Sequence, residues 1–175
     1  GVNLSANGGT LDVNNAVTLI DLSGAGGTNV LSASGAVELS AISDSDAAGP
    51  VELNVTSGTT MTLAAITLNG SNNPVLDLDV DTGADGSETL NANGSLSAGV
   101  IEVNGQGTNE TLNFASTVTS TTGSVTIDGA ATVDLNGNVT GATTLTIQNV
   151  GSEVDLAAGV NLSANGGTLD VNNAV

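Results

Sequence analysis

The chain has no lysine, arginine, histidine, cysteine, tryptophan or tyrosine, and these absences exclude most kinds of site chemistry. Without a side-chain cation nothing neutralises phosphate, so we expect no binding to nucleic acid or to an anionic membrane surface. Without histidine and cysteine, the usual ligands of zinc, haem and iron–sulfur clusters are missing, as are catalytic triads and thiolate nucleophiles. Carboxylates, hydroxyls, amides and backbone groups remain.

What the chain does contain is strongly acidic, with 18 carboxylates and a formal net charge of −18 over 175 residues. Ordinary domains carry both signs of charge on about a quarter of their residues. A surface without Lys or Arg offers no cleavage site to trypsin-like proteases, and we interpret it as extracellular. The lack of cysteine means that disulfides do not supply its stability.

A long exact repeat organises the sequence. Residues 1–17 and 159–175 both read GVNLSANGGTLDVNNAV, at an offset of 158 residues. The simplest interpretation is a tandem array, in which residues 1–158 are one unit and residues 159–175 are the start of the next identical unit. The alternative is a single duplication inside one domain.

Short segments with alternating apolar and polar residues recur between turns rich in Gly and Asn, for example VELNV (51–55), VLDLDV (75–80) and TLTI (144–147). This period predicts an all-β fold. We expect a parallel β-helix (β-solenoid) with about seven coils of roughly 22–23 residues per 158-residue unit, because small aliphatic residues suit a narrow core. The competing architecture, an immunoglobulin-type sandwich, normally uses about 100 residues and more aromatic side chains.

The densest acidic segment, DLDVDTGADGSE (77–88), suggests calcium, since hard oxygen ligands suit Ca²⁺. Its carboxylates follow EF-hand-like spacing, but the turn glycine is displaced to Gly83 and no flanking helices are predicted, so we reject an EF-hand. A strand followed by a loop could still gather the candidate ligands Asp77, Asp79, Asp81, Asp85 and Glu88. The alternative is that these acids are a solvated outer face. Because no side-chain cation opposes the carboxylates, we expect stability to depend on ions from solution.

Catalysis would have to rest on carboxylate pairs alone. The pairs Asp77/Asp79, Asp44/Asp46 and Glu153/Asp155 could match the separation of about 5–10 Å that glycosidases use. Sugar sites normally add aromatic platforms and basic residues, and this chain has one Phe and no basic residue. We therefore predict that the protein is not an enzyme.

The segment GSVTIDGAATVDLNGNVTGATTLTIQN (123–149) and its Gly/Thr/Asn/Val-rich strands resemble the repeat regions of giant bacterial surface and secreted proteins, such as filamentous-haemagglutinin-like adhesins and autotransporter passengers. The resemblance implies a right-handed parallel β-helix, export, and a filament or stalk role. We expect a structural segment of an extracellular fibre, whose partners are copies of itself in tandem or in lateral bundles, with any receptor or glycan unspecified. The alternative is an S-layer or adhesive binding module with calcium-stabilised repeats, because S-layer proteins share this acidic, cysteine-free style.

Overall fold

The computed structural model describes residues 1–19, 27–44, 51–69, 73–80, 86–107 and 109–173. These residues form β-strands and turns and contain no helix. In chain order the strands are β1 (Asn3–Ala6), β2 (Leu11–Val13), β3 (Val17–Leu19), β4 (Gly27–Ala33), β5 (Val37–Leu39), β6 (Ile42–Asp44), β7 (Val51–Ser57), β8 (Thr60–Leu63), β9 (Ile66–Thr67), β10 (Val75–Asp79), β11 (Thr89–Ala92), β12 (Leu96–Ala98), β13 (Val100–Asn104), β14 (Thr111–Phe114), β15 (Val118–Ser120), β16 (Val125–Leu135), β17 (Val139–Gly141), β18 (Leu145–Leu156), β19 (Leu162–Ala164) and β20 (Leu169–Asn173).

The strands form because apolar residues alternate with polar ones, and the structure buries the apolar set. In β7 the side chains of Val51, Leu53 and Val55 are fully buried, while the residues between them are part-exposed. Successive side chains of a strand point to opposite faces, so one half of each strand lines the interior and the other half faces solvent. The predicted all-β class is confirmed.

The strands stack in parallel, each on the equivalent strand of the next coil, along three faces. The first face contains β1, β4, β7, β10, β13, the first part of β16 and of β18, and β20. The second contains β2, β5, β8, β11, β14 and the second part of β16 and of β18. The third contains β3, β6, β9, β12, β15, β17 and β19. The protein is therefore a parallel β-solenoid, as predicted.

The coils are slightly longer, and slightly fewer per repeat, than the sequence suggested. Eight aligned positions on the first face mark seven turns: Leu4, Leu31, Val55, Leu78, Val103, Ile127, Ile147 and Val171. Dividing the separation of the first and last of these positions by seven gives about 24 residues per turn rather than roughly 22–23. The expected seven coils per repeat unit is a small overcount, because Leu11 lies on the second face and its counterpart Leu169 lies on the first, so the interval of 158 residues is less than seven full turns.

The core runs along the whole axis and consists almost entirely of Val, Leu, Ile and Ala. The single aromatic, Phe114, is fully buried and stacks between Ala92 and Leu135 of the neighbouring coils. Alternating a large side chain with smaller ones in one column keeps a narrow core filled. Within the described ranges, large apolar side chains are exposed only near the two ends of the stack, at Val2, Leu4, Leu156, Leu169 and Val171.

The corner between the first and second faces changes character along the stack. β16 and β18 each pass the corner as one continuous strand that contains a single residue in the left-handed backbone conformation. This residue is Gly129 in β16, at φ +68°, and Asn149 in β18, at φ +56°. Glycine adopts this conformation without cost, and Asn tolerates it better than most residues.

Helices long and apolar enough to cross a bilayer are not found in the part of the chain that the structure describes.

Candidate functional site: the outward carboxylates

Asp77 and Asp79 both lie on β10 with their side chains on the outward side of the first face. Asp77 is aligned with Asn54 on the preceding coil and with Glu102 on the following coil. Aligned residues of neighbouring strands are about 4.8 Å apart, so two carboxylates stack directly. The direct stacking of Asp77 and Glu102 is electrostatically unfavourable. On the other side of Asp77, the buried Oδ1 of Asn54 is also unfavourable, because it accepts no hydrogen bond from any described residue.

This environment disfavours the charged form of Asp77. Partial burial, followed by the charges of Asp79, Glu102 and Glu52, raises the pKa of Asp77 from 3.8 to about 6. Burial and like charge act in the same direction, since both penalise an anion. Asp77 is thus a place where a bound cation, or a proton, would relieve electrostatic repulsion.

Glu88, the last of the predicted calcium ligands, lies away from the strand that carries Asp77. It immediately precedes β11, at the start of the second face, and is 5% exposed. Its main-chain oxygen accepts a hydrogen bond from Thr111 N at 3.0 Å, which belongs to the stacking ladder. Its carboxylate oxygen Oε2 is buried without a hydrogen-bond partner among the described residues. An unpartnered buried carboxylate oxygen is costly, and it is an available cation ligand.

The sequence reasoning missed a second buried glutamate of the same kind. Because Thr89 is aligned with Thr111, Glu110 occupies the position equivalent to Glu88 on the next coil. Glu110 is 3% exposed, and its Oε2 accepts a hydrogen bond from Asn109 N at 3.0 Å. The shared Glu-Thr-Leu sequence at 88–90 and 110–112 is the signal that could have paired them.

The structure describes only three of the five predicted calcium ligands. Asp81 and Asp85 lie outside the described residues. Among the residues that are described, no three acidic side chains come together in a group that could hold a metal ion. The five-residue calcium site therefore stays a prediction, while Asp77, Asp79 and Glu88 are placed on two different faces.

Where carboxylates do have partners, the partners are amides and hydroxyls. Asp128 accepts hydrogen bonds from Gln148 Nε2 at 2.9 Å and from Asn149 Nδ2 at 2.6 Å. Asp12 accepts from Asn14 Nδ2 at 3.0 Å. On the first face, acids and amides alternate from coil to coil in the column Asp79, Asn104, Asp128, Gln148. Interleaving neutral donors between carboxylates gives part of the stabilisation that Lys and Arg provide elsewhere.

Other columns bring like charges into direct alignment. Asp12 is aligned with Glu38, and Asp134 with Asp155. Each pair borders an open depression, of about 230 Å³ beside Asp12 and Glu38 and about 280 Å³ beside Asp134 and Asp155. These depressions hold no aromatic ring, because Phe114 is the only one in the chain and is buried.

The carboxylate pairs considered for catalysis are placed as follows. Glu153 and Asp155 are exposed on β18, and Asp44 ends β6, while Asp46 lies outside the described residues. The prediction that the protein is not an enzyme stays a prediction. Comparisons of the chain with protein-family models, with curated proteins and with solved structures find no match.

Proposed function

We propose that this chain is a non-catalytic structural segment of an extracellular fibre or adhesin stalk built from tandem repeats. One observation carries the proposal. The second copy of the seventeen-residue repeat continues the coil directly, with Leu162 aligned on Val139 and Leu169 aligned on Leu145. A solenoid in which each coil contacts only its neighbours can be extended by adding units, and its length then grows with the number of units.

The mechanical role is supported by the small number of unpaired strand edges that the fold leaves. In the described part of the chain, every coil between the first and the last is hydrogen-bonded on both sides, so open strand edges and exposed core side chains are confined to the ends. Exposed edges are where strand proteins aggregate, and an array hides all but two of them. Extracellular placement is proposed because a chain without Lys or Arg withstands trypsin-like proteases. The partners in this proposal are further copies of the same unit.

The proposal is tested by making chains with one, two and three copies and measuring their dimensions by small-angle X-ray scattering. With about 6⅔ turns per repeat unit, each added copy lengthens the particle by about 32 Å at about 4.8 Å per turn, and the cross-section stays constant. A cross-section that widens with copy number would contradict the proposal. So would beads spaced at about 40–50 Å, the spacing of separate sandwich domains.

A calcium-stabilised surface-layer or binding module is the second candidate, and the unpartnered carboxylate oxygen of buried Glu88 favours it. In that role the repeats would need millimolar Ca²⁺ to hold their shape, as extracellular calcium modules do. Electron microscopy of assemblies formed with and without Ca²⁺ separates the two candidates, because a lattice protein forms sheets and a stalk forms single fibres.

A further inference from the structure

The two copies of the repeated segment have the same sequence but occupy different faces. Leu4 lies on the first face, and its counterpart Leu162 lies on the third face. Leu11 lies on the second face, and its counterpart Leu169 lies on the first. Both described strands of the second copy are thus one face behind the same strands of the first copy, so one repeat unit advances the coil by about 6⅔ turns rather than by a whole number.

The two placements are compatible with one continuous coil. Leu162 stacks on Val139 at the end of the third-face column, and its counterpart Leu4 supports Leu31 at the start of the first-face column. Because the same segment ends the third-face column of one copy and begins the first-face column of the next, the third face of one copy continues as the first face of the next. In the same way the first face continues as the second, as Leu169 and Leu11 show, and the strand register is kept throughout.

The first coil of the stack exposes apolar side chains that a preceding coil would cover. Leu4 is 44% exposed there, whereas its counterpart Leu162 is part-buried against β17. At this open end lies an apolar cavity of about 150 Å³, lined by Val2, Leu4 and Val17 of the first coil together with Leu31 and Ile42 of the second. The surface that fits this opening is the one on which strands β19 and β20 of the second copy stack, since the second copy has the same sequence as residues 1–17.

We propose that consecutive copies join end to end with each copy turned by one face, about a third of a turn, relative to the copy before it. The inference rests on the proposed tandem array. The occupant of the open end is the final coil of the preceding repeat unit, because the second copy stacks on that coil here. Three successive copies complete a whole number of turns, so an outward feature such as the Asp77–Glu102 column returns to the same side of the fibre only every third copy. At about 4.8 Å per turn, that distance is about 96 Å.

The face occupied by the second copy can be tested by cross-linking in the 175-residue chain, which has no cysteine of its own. Ser163 Oγ donates to Thr140 Oγ1 at 3.1 Å, so the double variant Ser163→Cys/Thr140→Cys is expected to react fully with a short bifunctional thiol reagent. If the second copy instead repeated the face of the first, Ser163 would stack on Gln148, and Ser163→Cys/Gln148→Cys would react. Ser97→Cys/Thr119→Cys, an aligned pair on the third face, is the positive control.

A second pair protects the test against a variant that fails to fold. Asp170→Cys/Thr146→Cys is expected to link, because these residues are aligned on the first face, and Asp170→Cys/Asp155→Cys is expected not to link. Linkage of Ser163 to Gln148, or of Asp170 to Asp155, overturns the rotation but leaves the fibre proposal intact. If the second copy links to neither partner while the central control links, the coil does not continue into the repeat, and the fibre proposal fails as well.

Discussion

Replacing Asp77 by Asn is expected to stabilise the protein at neutral pH. Asp77 is a part-buried anion between Asn54 and Glu102, and burial together with the nearby acids raises its pKa to about 6. An acid whose pKa is raised by folding opposes folding when it is charged. The native stability therefore increases as pH falls through about 6 and is fully gained below the unfolded value of 3.8.

The magnitude follows from the size of the shift. Each unit of pKa corresponds to about 1.4 kcal/mol, and solvent screening of a part-exposed group reduces the total to about 1–2 kcal/mol. Asn removes the charge at nearly the same volume and can donate a hydrogen bond to the Oδ1 of Asn54, which no described residue contacts as a donor. For a chain of this length the gain is a rise in melting temperature of about 2–8 °C at pH 8.

The assay is thermal unfolding followed by circular dichroism from pH 3.5 to pH 8. Asp77→Asn is expected to melt above the parent protein at pH 8 and together with it at pH 3.5, where Asp77 is protonated. Glu153→Gln is the matched control, because it removes one charge from an exposed position aligned with Thr132 and should change stability by less than about 0.5 kcal/mol. A lower melting temperature for Asp77→Asn at pH 8, or an equally large difference from the parent protein at pH 3.5, would show that the charge on Asp77 does not oppose folding.

Three further predictions follow from the packing and the charges. Millimolar Ca²⁺ is expected to raise the melting temperature, and a chelator to reverse the rise, because cations reduce the repulsion within aligned pairs such as Asp134/Asp155. A melting temperature that changes with neither chelator nor ionic strength would contradict a role for cations. Phe114→Ala is expected to cost about 3–5 kcal/mol in urea unfolding, because the ring is fully buried, whereas Leu156→Ala at 42% exposure should cost less than about 1 kcal/mol; equal losses would contradict the packing. Asn149→Gly is expected to destabilise less than Asn149→Ala, since both lose the bond to Asp128 but glycine suits φ +56°; the reverse order would place the corner elsewhere.

The strand pattern was readable from the sequence because burial imposes a period of two. VELNV forms most of β7, and VLDLDV covers β10; the apolar residues of both lie inside except Val75, which is part-exposed on the same side as Asp77 and Asp79. The face of each strand was not readable, because an alternating segment such as residues 10–13 satisfies any of the three faces equally. Only the spacing between strands decides the face, and the connections that set this spacing differ in length from coil to coil.

In the candidate site, too, the sequence predicts some features and leaves others undetermined. The acidic character of Asp77 and Asp79 was evident, but the alignment that raises the pKa of Asp77 depends on Glu102, which lies a full coil further along the chain. The burial of Glu88 and Glu110 was not evident, since a glutamate beside glycines and threonines ordinarily belongs to a solvated turn. Only the stacking of one coil on the next places both carboxylates inside the corner.

A cryo-electron microscopy reconstruction of a chain with two complete copies shows whether one parallel coil runs unbroken from one copy of the repeat into the next. We expect strand layers about 4.8 Å apart through the junction, with no missing or reversed layer and a continuous apolar core. Two separate bodies joined by an extended linker, or antiparallel strands at the junction, would be incompatible with an unbroken coil.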